Sequence, residues 1–234
     1  MKFIFLSAFM ALGNLVFAQA SGTGIGGGGT VQKRMEVYSW AERPEEERVS
    51  DVQQLFLEQQ WMPGLVEFRS GRPDMQVPLI FDIHNNTLYY LQGKIIMEFV
   101  DTVSSFFLTV PHKSDSLTLL YRSGFTAFQA NTTETFYQVL VDGKVQLLKC
   151  RAKSILLIRD KDLPEEKRTE LKELYFACLP GNKLQMLPLN AERIKASMPE
   201  YAAKIATILK KEHIKLKNEA KLTELFVHLN NELQ

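Results

Sequence analysis

Residues 136–150, FYQVLVDGKVQLLKC, hold the clearest structural signal in the chain. Two runs of β-forming residues are joined by Asp142 and Gly143. An Asp-Gly pair is typical of a two-residue type I′ turn, whose central residues need positive φ. The sequence therefore predicts a β-hairpin at this point, and the rest of the chain can be placed around it.

Both faces of this hairpin carry apolar side chains. A two-residue turn sets the register with these facing pairs: Leu140 with Val145, Gln138 with Leu147, and Tyr137 with Leu148. A sheet with one wet face shows a cleaner alternation of apolar and polar residues. We therefore expect the hairpin to be covered on both faces, by a second sheet or by helices from the carboxyl end.

Short apolar runs of the same kind fill the chain from residue 61 to residue 158. Turn residues separate them, and no long helical pattern lies between them. Besides the hairpin, the predicted strands are 66–69, 77–83, 88–91, 95–99, 106–110, 117–121 and 155–158. Strands this short at this spacing predict an antiparallel meander, a sandwich or a partly closed barrel.

A second hairpin is predicted nearer the carboxyl end. Apolar runs at 174–178 and 184–187 flank Pro180-Gly181-Asn182, and proline followed by glycine favours a type II turn. The alternative is one helix over 164–177, because Glu165, Glu166, Lys167 and Glu170 favour helix.

Two amphipathic helices are predicted to end the chain. Ser197 and Glu200 have the spacing of a capping box, and Tyr201, Ile205, Ile208 and Leu209 follow at helical spacing. Asn218 is placed to cap a last helix with the apolar stripe Leu222, Leu225, Phe226, Leu229 and Leu233. The predicted fold class is α+β, an antiparallel β meander, sandwich or partly closed barrel with a carboxyl-terminal helical hairpin.

The first 30 residues predict export. Lys2 precedes an apolar run at 3–17, and small residues occupy the cleavage positions Val16 and Ala18, which is typical of a signal peptide over 1–18. The run is shorter than the roughly 20 residues of a spanning helix. Residues 19–30 are a glycine-rich linker whose chance G-x-G-x-x-G lacks the strand and helix that nucleotide binding requires. A β-rich domain over 31–188 and a helical segment over 189–234, packed on the same domain, follow.

The charge balance limits the partners. The chain has 28 Lys and Arg against 27 Asp and Glu, and loss of Lys2 with the signal peptide makes the two equal. Proteins that bind nucleic acid through its phosphates usually show a basic surplus. We therefore expect no nucleic-acid partner. The short apolar run at 3–17 predicts no transmembrane span, and the predicted export makes an envelope or extracellular macromolecule the expected partner.

Few side chains stand out as chemical groups. The four histidines lack every local metal-ligand spacing and no serine lies in G-x-S-x-G, so no catalytic residue, cofactor or metal site is predicted. Cys150 and Cys178 either form a disulfide in an oxidising compartment or are two separate buried thiols. Trp61, Tyr89 and Tyr90 lie beside turns and are candidates for stacking on a sugar or a peptide.

Three motifs follow one another in a recognisable order. They are Trp61-x-x-Gly64-x-Val66-x-Phe68-x-x-Gly71, then Leu79-Ile80-Phe81-Asp82-Ile83 with Asn86 and Leu88, then Phe136-Tyr137-Gln138-Val139-Leu140 before Gly143 and Leu147-Leu148-Lys149. This order resembles a group of uncharacterised exported proteins of Gram-negative bacteria, over most of residues 52–234, with Phe81 where tyrosine is more usual. The resemblance implies a periplasmic or extracellular setting and brings no established activity with it.

Two functional hypotheses follow. The first is an exported, non-enzymatic envelope or secreted module that binds a macromolecular partner or an apolar ligand within its curved sheet. The alternative is a hydrolase acting on envelope or extracellular polymers, with Asp82, Glu98 and Asp101 as candidate carboxylates. A binding module should show an apolar or aromatic concavity, whereas an enzyme should gather titratable groups in a cleft, for example Asp82, His84 and His112.

Overall fold

The computed structural model describes residues 56–58, 60–158 and 166–233. Ten strands and three α-helices lie in this part of the chain: β1 (Met62–Phe68), β2 (Met75–Asp82), β3 (Thr87–Gln92), β4 (Ile95–Glu98), β5 (Val103–His112), β6 (Asp115–Arg122), β7 (Tyr137–Val141), β8 (Gln146–Ile158), β9 (Glu166–Leu179), β10 (Lys183–Leu187), α1 (Ala191–Ser197), α2 (Ala202–Lys211) and α3 (Glu219–Asn231). The predicted α+β class is confirmed. The predicted signal peptide (1–18) and linker (19–30) lie outside the described residues.

All ten strands form one antiparallel sheet in the order β10-β9-β8-β7-β6-β5-β1-β2-β3-β4. Consecutive strands are neighbours except β4 and β5, because β5 pairs with β1 on the far side of β2 and β3. Of the described strands, β4 and β10 form the two edges, so the sheet is a meander that does not close.

The register defines two faces of the sheet. One face of the sheet, which we call the inner face, is marked by six residues that lie opposite one another on the neighbouring strands β1, β5, β6, β7, β8 and β9. They are Val66, Phe106, Tyr121, Gln138, Lys149 and Tyr175. Their neighbours along each strand lie on the outer face, because side chains alternate along a strand.

The first half of the sheet, β1 to β6, has its own apolar core on the inner face. Phe106 stacks on Tyr121 with ring centroids 4.9 Å apart, and Phe81 meets the same two rings at 5.2 and 5.3 Å. Phe136 closes this core from the segment before β7, at 5.0 Å from Phe106. Offset and edge-to-face pairs of this kind add to the free energy gained by burying the rings.

Asn86 links the β2–β3 turn to the segment that contains Phe136. Its Nδ2 donates to the carbonyl oxygen of Glu134 at 2.9 Å, and its Oδ1 accepts from the backbone N–H of Phe136 at 2.9 Å. Asn86 has a φ of 54°, a left-handed conformation that asparagine adopts more readily than most residues. One side-chain amide thus connects the β2–β3 turn to the segment just before β7, and no strand pairing joins these two parts of the described chain.

The second half, β7 to β10, is covered on both faces, as predicted for the hairpin. On the inner face, all three helices pack their buried stripes on Leu147, Ala177 and Leu187. On the outer face, Phe125 and Phe128 from the β6–β7 connection pack on Tyr137 and Phe176. The cover is therefore helical on one side and a loop on the other, and the described residues form no second sheet.

The hairpin is confirmed, but the predicted length of its turn is wrong. β7 ends at Val141 and β8 begins at Gln146, so the connection has four residues rather than two. The observed pairs are Gln138 with Lys149, Val139 with Leu148 and Val141 with Leu147, across a bulge at residue 140. The three predicted pairs are therefore wrong.

Helix α3 accounts for the longer connection. Asn230 Oδ1 accepts from the backbone N–H of Val145 at 3.0 Å, and Asn230 Nδ2 donates to the Val145 carbonyl oxygen at 2.8 Å. Both backbone polar groups of Val145 are satisfied by the helix, so this residue does not join the ladder opposite Leu140. Gly143 is also required here, since a Cβ on it would lie 2.5 Å from Asn230 Oδ1.

The carboxyl-terminal predictions have mixed outcomes. The second hairpin is confirmed as β9 and β10, and the alternative helix over 164–177 is wrong because β9 occupies that range from Glu166.

The predicted capping box is also wrong, because Ser197 ends α1, and its hydroxyl donates to the carbonyl oxygen of Met186. Asn218 does cap α3, accepting from the N–H of Lys221 at 3.1 Å. Helix α1 was not predicted.

Candidate functional site

Cys150 and Cys178 are both buried, and both are free thiols. They lie on the outer face of neighbouring strands, but Cys178 is opposite Gln146, four residues before Cys150. At roughly 3.3 Å per residue this offset is about 13 Å, beyond the roughly 7 Å Cα separation that a disulfide can span. The structure places them as two separate buried thiols and does not bring them together.

The three candidate stacking residues do not form one surface. Tyr89 and Tyr90 are adjacent on β3, so their rings point to opposite faces. Tyr90 is only 7% exposed and packs on Phe99 with ring centroids 4.5 Å apart, which makes it part of the core. Trp61 and Tyr89 are half-buried. Burial, followed by the charges of Asp82 and Glu98, raises the pKa of Tyr89.

Asp82 stabilises the β2–β3 turn. Its carboxylate accepts from the backbone N–H groups of His84 and Asn85 at 2.9 and 3.0 Å, and from Asn85 Nδ2 at 2.8 Å. His84 Nδ1 lies 2.7 Å from the carbonyl oxygen of Lys153, and His112 is exposed at the end of β5. No hydrogen bond within the described residues joins Asp82 to either imidazole, so these three groups do not act as one catalytic set.

Glu98 and Asp101, in contrast, line the same groove. This groove, which we call the β4 groove, has a volume of about 250 Å³ and runs from the end of β4 to the start of β5. Its apolar lining includes Leu88, Phe99 and Phe136, and Glu134 adds a third carboxylate. No sequence pattern pointed to Glu134, whose backbone carbonyl oxygen accepts from Asn86 beside the groove.

Arginines balance part of this acidic charge. Arg69 Nη1 lies 3.2 Å from Glu134 Oε1, and Arg72 pairs with Asp101 while its guanidinium stacks over the Phe68 ring at 4.1 Å. Glu98 forms no ion pair with any other residue in the described ranges. The β4 groove therefore has an apolar floor and one acidic group that is not neutralised there.

The β4 groove begins at an open sheet edge. Strand β4 pairs with β3 on one side, and among the described elements only β3 makes an extensive contact with it. Its side chains include Ile95, which is 46% exposed, and Val100 just beyond the strand is 49% exposed. The opposite edge differs, because the Ser197 hydroxyl at the end of α1 donates to a β10 carbonyl oxygen at 3.4 Å.

A second groove, of about 360 Å³, lies at the tips of the hairpins. Arg122, Lys144, Gln146 and Asn182 line it, with Phe125 among its apolar residues. The Arg122 guanidinium is engaged by the Asp142 carboxylate at 3.1 Å. Burial alone would raise the pKa of Asp142, but hydrogen bonds from Arg122 and Gln146 outweigh it and lower this pKa.

A buried ionic network lies on the inner face, between the apolar core of the first half and the helices. Lys149 Nζ, on a side chain only 5% exposed, contacts Glu173 Oε1 at 2.9 Å and Glu219 Oε2 at 2.6 Å. Arg151 Nε also donates to Glu173 Oε1 at 2.9 Å, and the Tyr175 hydroxyl donates to Glu219 Oε2 at 3.0 Å. The network therefore connects β8 and β9 to the first turn of α3.

Two buried polar atoms border this network without a hydrogen bond of normal geometry among the described residues. They are the Tyr121 hydroxyl and Gln138 Oε1. Burial raises the pKa of Tyr121 to about 12, although the nearby Arg151 guanidinium favours the phenolate. Burial and the hydrogen bond to Glu219 raise the pKa of Tyr175. One feature of the sequence pointed to this network: Lys149 lies inside the apolar run of the hairpin. A lysine that is buried there needs anionic partners.

Comparisons with known proteins return no family model, no curated sequence and no solved structure that matches this chain. Across residues 56–58, 60–158 and 166–233, no three His, Cys, Asp or Glu side chains are grouped so that they could hold a metal ion. No helix in those ranges is long and apolar enough to cross a membrane.

Proposed function

We propose that this protein is an exported, non-enzymatic module of the cell envelope or the extracellular space that binds an extended segment of a partner protein along β4. The observation that carries the proposal is an apolar edge strand that has no second strand partner among the described residues and ends in an acidic groove lined by Phe99 and Phe136. An edge strand offers a row of backbone donors and acceptors to another chain.

Strand addition supplies both affinity and selectivity. Backbone hydrogen bonds to the edge supply affinity, and the pockets that receive alternate side chains supply specificity. The exposed side chains Ile95 and Val100 offer apolar contact to the added strand. Glu98 lies where the strand ends and the groove begins, so a lysine or arginine of the partner segment is the side chain that this groove selects.

Binding of strand-forming peptides tests the proposal. Two labelled decapeptides of alternating valine and threonine, one ending in two lysines and the other in two glutamates, are titrated with the protein, and fluorescence anisotropy is measured. We expect at least tenfold tighter binding of the lysine peptide and slower amide exchange at residues 95–98. Equal binding of the two peptides, or no binding, would overturn the proposal.

Three variants locate the binding surface. Ile95→Lys places a charge on the edge and Glu98→Gln removes the selecting carboxylate, so each should weaken binding of the lysine peptide at least tenfold. Val227→Lys is the matched control, because Val227 is 44% exposed on α3. An equal effect of Ile95→Lys and Val227→Lys would show that the peptide does not bind at β4.

A hydrolase is the second candidate, and the shared groove of Glu98 and Asp101 is the observation that favours it. Arg72 pairs with Asp101, whereas Glu98 has no cationic partner in the described part, so the two carboxyl groups lie in different environments, as a glycosidase pair requires. Incubation with envelope polysaccharide, followed by assay of reducing ends, tests this candidate. Activity that is lost in Glu98→Gln would favour the hydrolase over the binding module.

A further inference from the structure

The central residues of strand β4 carry none of the within-strand features that usually protect a sheet edge. Natural edges are blunted by charged residues, proline or bulges within the strand. Strand β4 instead has three apolar residues in succession, from Ile95 to Met97, with charged residues only at its two ends. Lys94 precedes the strand in the two-residue turn from β3, and Glu98 ends it. Neither forms an ion pair with another described residue.

This arrangement is complementary to itself. In an antiparallel pair of identical strands related by a two-fold axis, the axis passes between two copies of the same residue. With the axis at Ile96, Lys94 of each copy lies opposite Glu98 of the other. Moving the axis to Ile95 or to Met97 places Lys94 opposite an apolar residue and loses both charge pairs. One register therefore satisfies the charges at both ends of the strand.

We propose that β4 pairs with β4 of a second copy of this chain, antiparallel and centred on Ile96, so that the two ten-stranded sheets become continuous. The proposal rests on the proposed function only in using the same open edge. Because the edge can hold one strand at a time, self-pairing and binding of a partner segment exclude each other. At high protein concentration the second copy thus covers the edge until a partner displaces it.

The interface is small. Each copy contributes a strand of four residues and its flanks, far less than the roughly 800 Å² per partner of a standard stable interface. The dimer should therefore form only at high protein concentration. The two charge pairs lie at the rim, where opposite charges across strands stabilise and like charges destabilise the pairing.

Charge exchange tests the register. Sedimentation equilibrium is measured over a wide range of concentration for the protein and for Lys94→Glu, Glu98→Lys and the double variant. Each single variant places two like charges opposite each other and should weaken self-association at least tenfold. The double variant restores both pairs and should recover self-association to within about threefold of the original. Lys172→Glu, at an exposed lysine on β9, is the control and should have no effect.

The outcomes separate the two proposals. A protein that is monomeric at all concentrations, or a double variant that stays as weak as the single ones, overturns self-pairing. The lysine-peptide titration, run at low protein concentration, judges the proposed function independently. If self-association of the Lys94 and Glu98 variants changes as predicted but neither peptide binds, self-pairing stands and the proposed function fails.

Discussion

At the scale of single residues, Lys149 is the most deeply buried charged residue in the described structure. It lies within the hairpin that dominates the sequence, yet its ammonium group is buried against two carboxylates. Taking a lysine out of water is costly, and the attraction of Glu173 and Glu219 offsets that cost. The same side chain therefore ties β9 and α3 to β8.

Replacement of Lys149 by methionine should destabilise the fold. Glu173 and Glu219 would then repel each other without a cation between them. Removing one partner of a buried pair costs about 3–5 kcal/mol, and we expect about 2 kcal/mol because both glutamates are partly exposed. Urea unfolding measures the change. Lys172→Met, at a lysine 64% exposed beside Glu170, should change the free energy of unfolding by less than about 0.5 kcal/mol.

The two cysteines should behave as protected thiols. Burial raises the pKa of both Cys150 and Cys178, so little reactive thiolate forms near neutral pH. Intact mass after alkylation in denaturant without reductant should show two adducts, and alkylation of the folded protein should be much slower. A mass that gains no adduct until reductant is added would show a disulfide, contrary to the separation of the two residues in the sheet.

At the scale of elements, the β7–β8 hairpin and helix α3 form one unit. Asn230 is buried, and its amide satisfies the backbone of Val145 and the carbonyl oxygen of Phe226. Gly143 leaves the space that this amide occupies. The hairpin turn is thus shaped by a helix that begins more than 70 residues later in the chain.

A double-mutant cycle tests this contact. Asn230→Ala leaves two buried backbone groups of Val145 unpaired and should cost about 2 kcal/mol. Gly143→Ala should cost about 1–3 kcal/mol in the original protein, because its Cβ meets Asn230 and its φ is 156°. In the Asn230→Ala background the steric part disappears, so the second substitution should cost clearly less. Strict additivity in urea unfolding would show that the two residues do not touch.

At the scale of the whole molecule, the ionic network makes stability depend on pH. Burial alone would raise the pKa of Glu173, but hydrogen bonds from Lys149 and Arg151 outweigh it and lower this pKa. The pKa of Asp142 is lowered in the same sense. A carboxyl group with a lowered folded pKa stabilises the fold above its unfolded pKa, about 4 for Asp and Glu, and loses that contribution as pH falls through the folded pKa.

We therefore expect the free energy of unfolding to be nearly constant from about pH 6 to pH 8 and to fall below about pH 4.5. Glu173→Gln should flatten part of this decline, because it removes one of the groups that must be protonated. Glu192→Gln, at a side chain 81% exposed, is the matched control and should leave the curve unchanged. A decline of the same steepness in Glu173→Gln would show that the network does not contribute to the pH dependence.

Much of the architecture was readable from local patterns. Alternating apolar residues located the strands before residue 158, Pro180 and Gly181 marked the β9–β10 turn, and Asn218 marked the start of α3. These signals are reliable because side-chain alternation and capping depend on residues within a few positions of each other. The candidate site was less readable. Glu98 and Asp101 were identified as carboxylates beside strands, but Glu134 and the open edge were not.

Short-range periodicity and turn chemistry are enough to specify the antiparallel β-rich class, the two hairpins and the apolar stripes of the last two helices. Four features are visible only in the folded protein: the length of the Asp142–Val145 connection, the separation of Cys150 from Cys178, the partners of Lys149 and the position of β4 at the edge of the described sheet. These depend on contacts between residues far apart in the chain, where burial and hydrogen bonding to α3 override the local preference of an Asp-Gly pair.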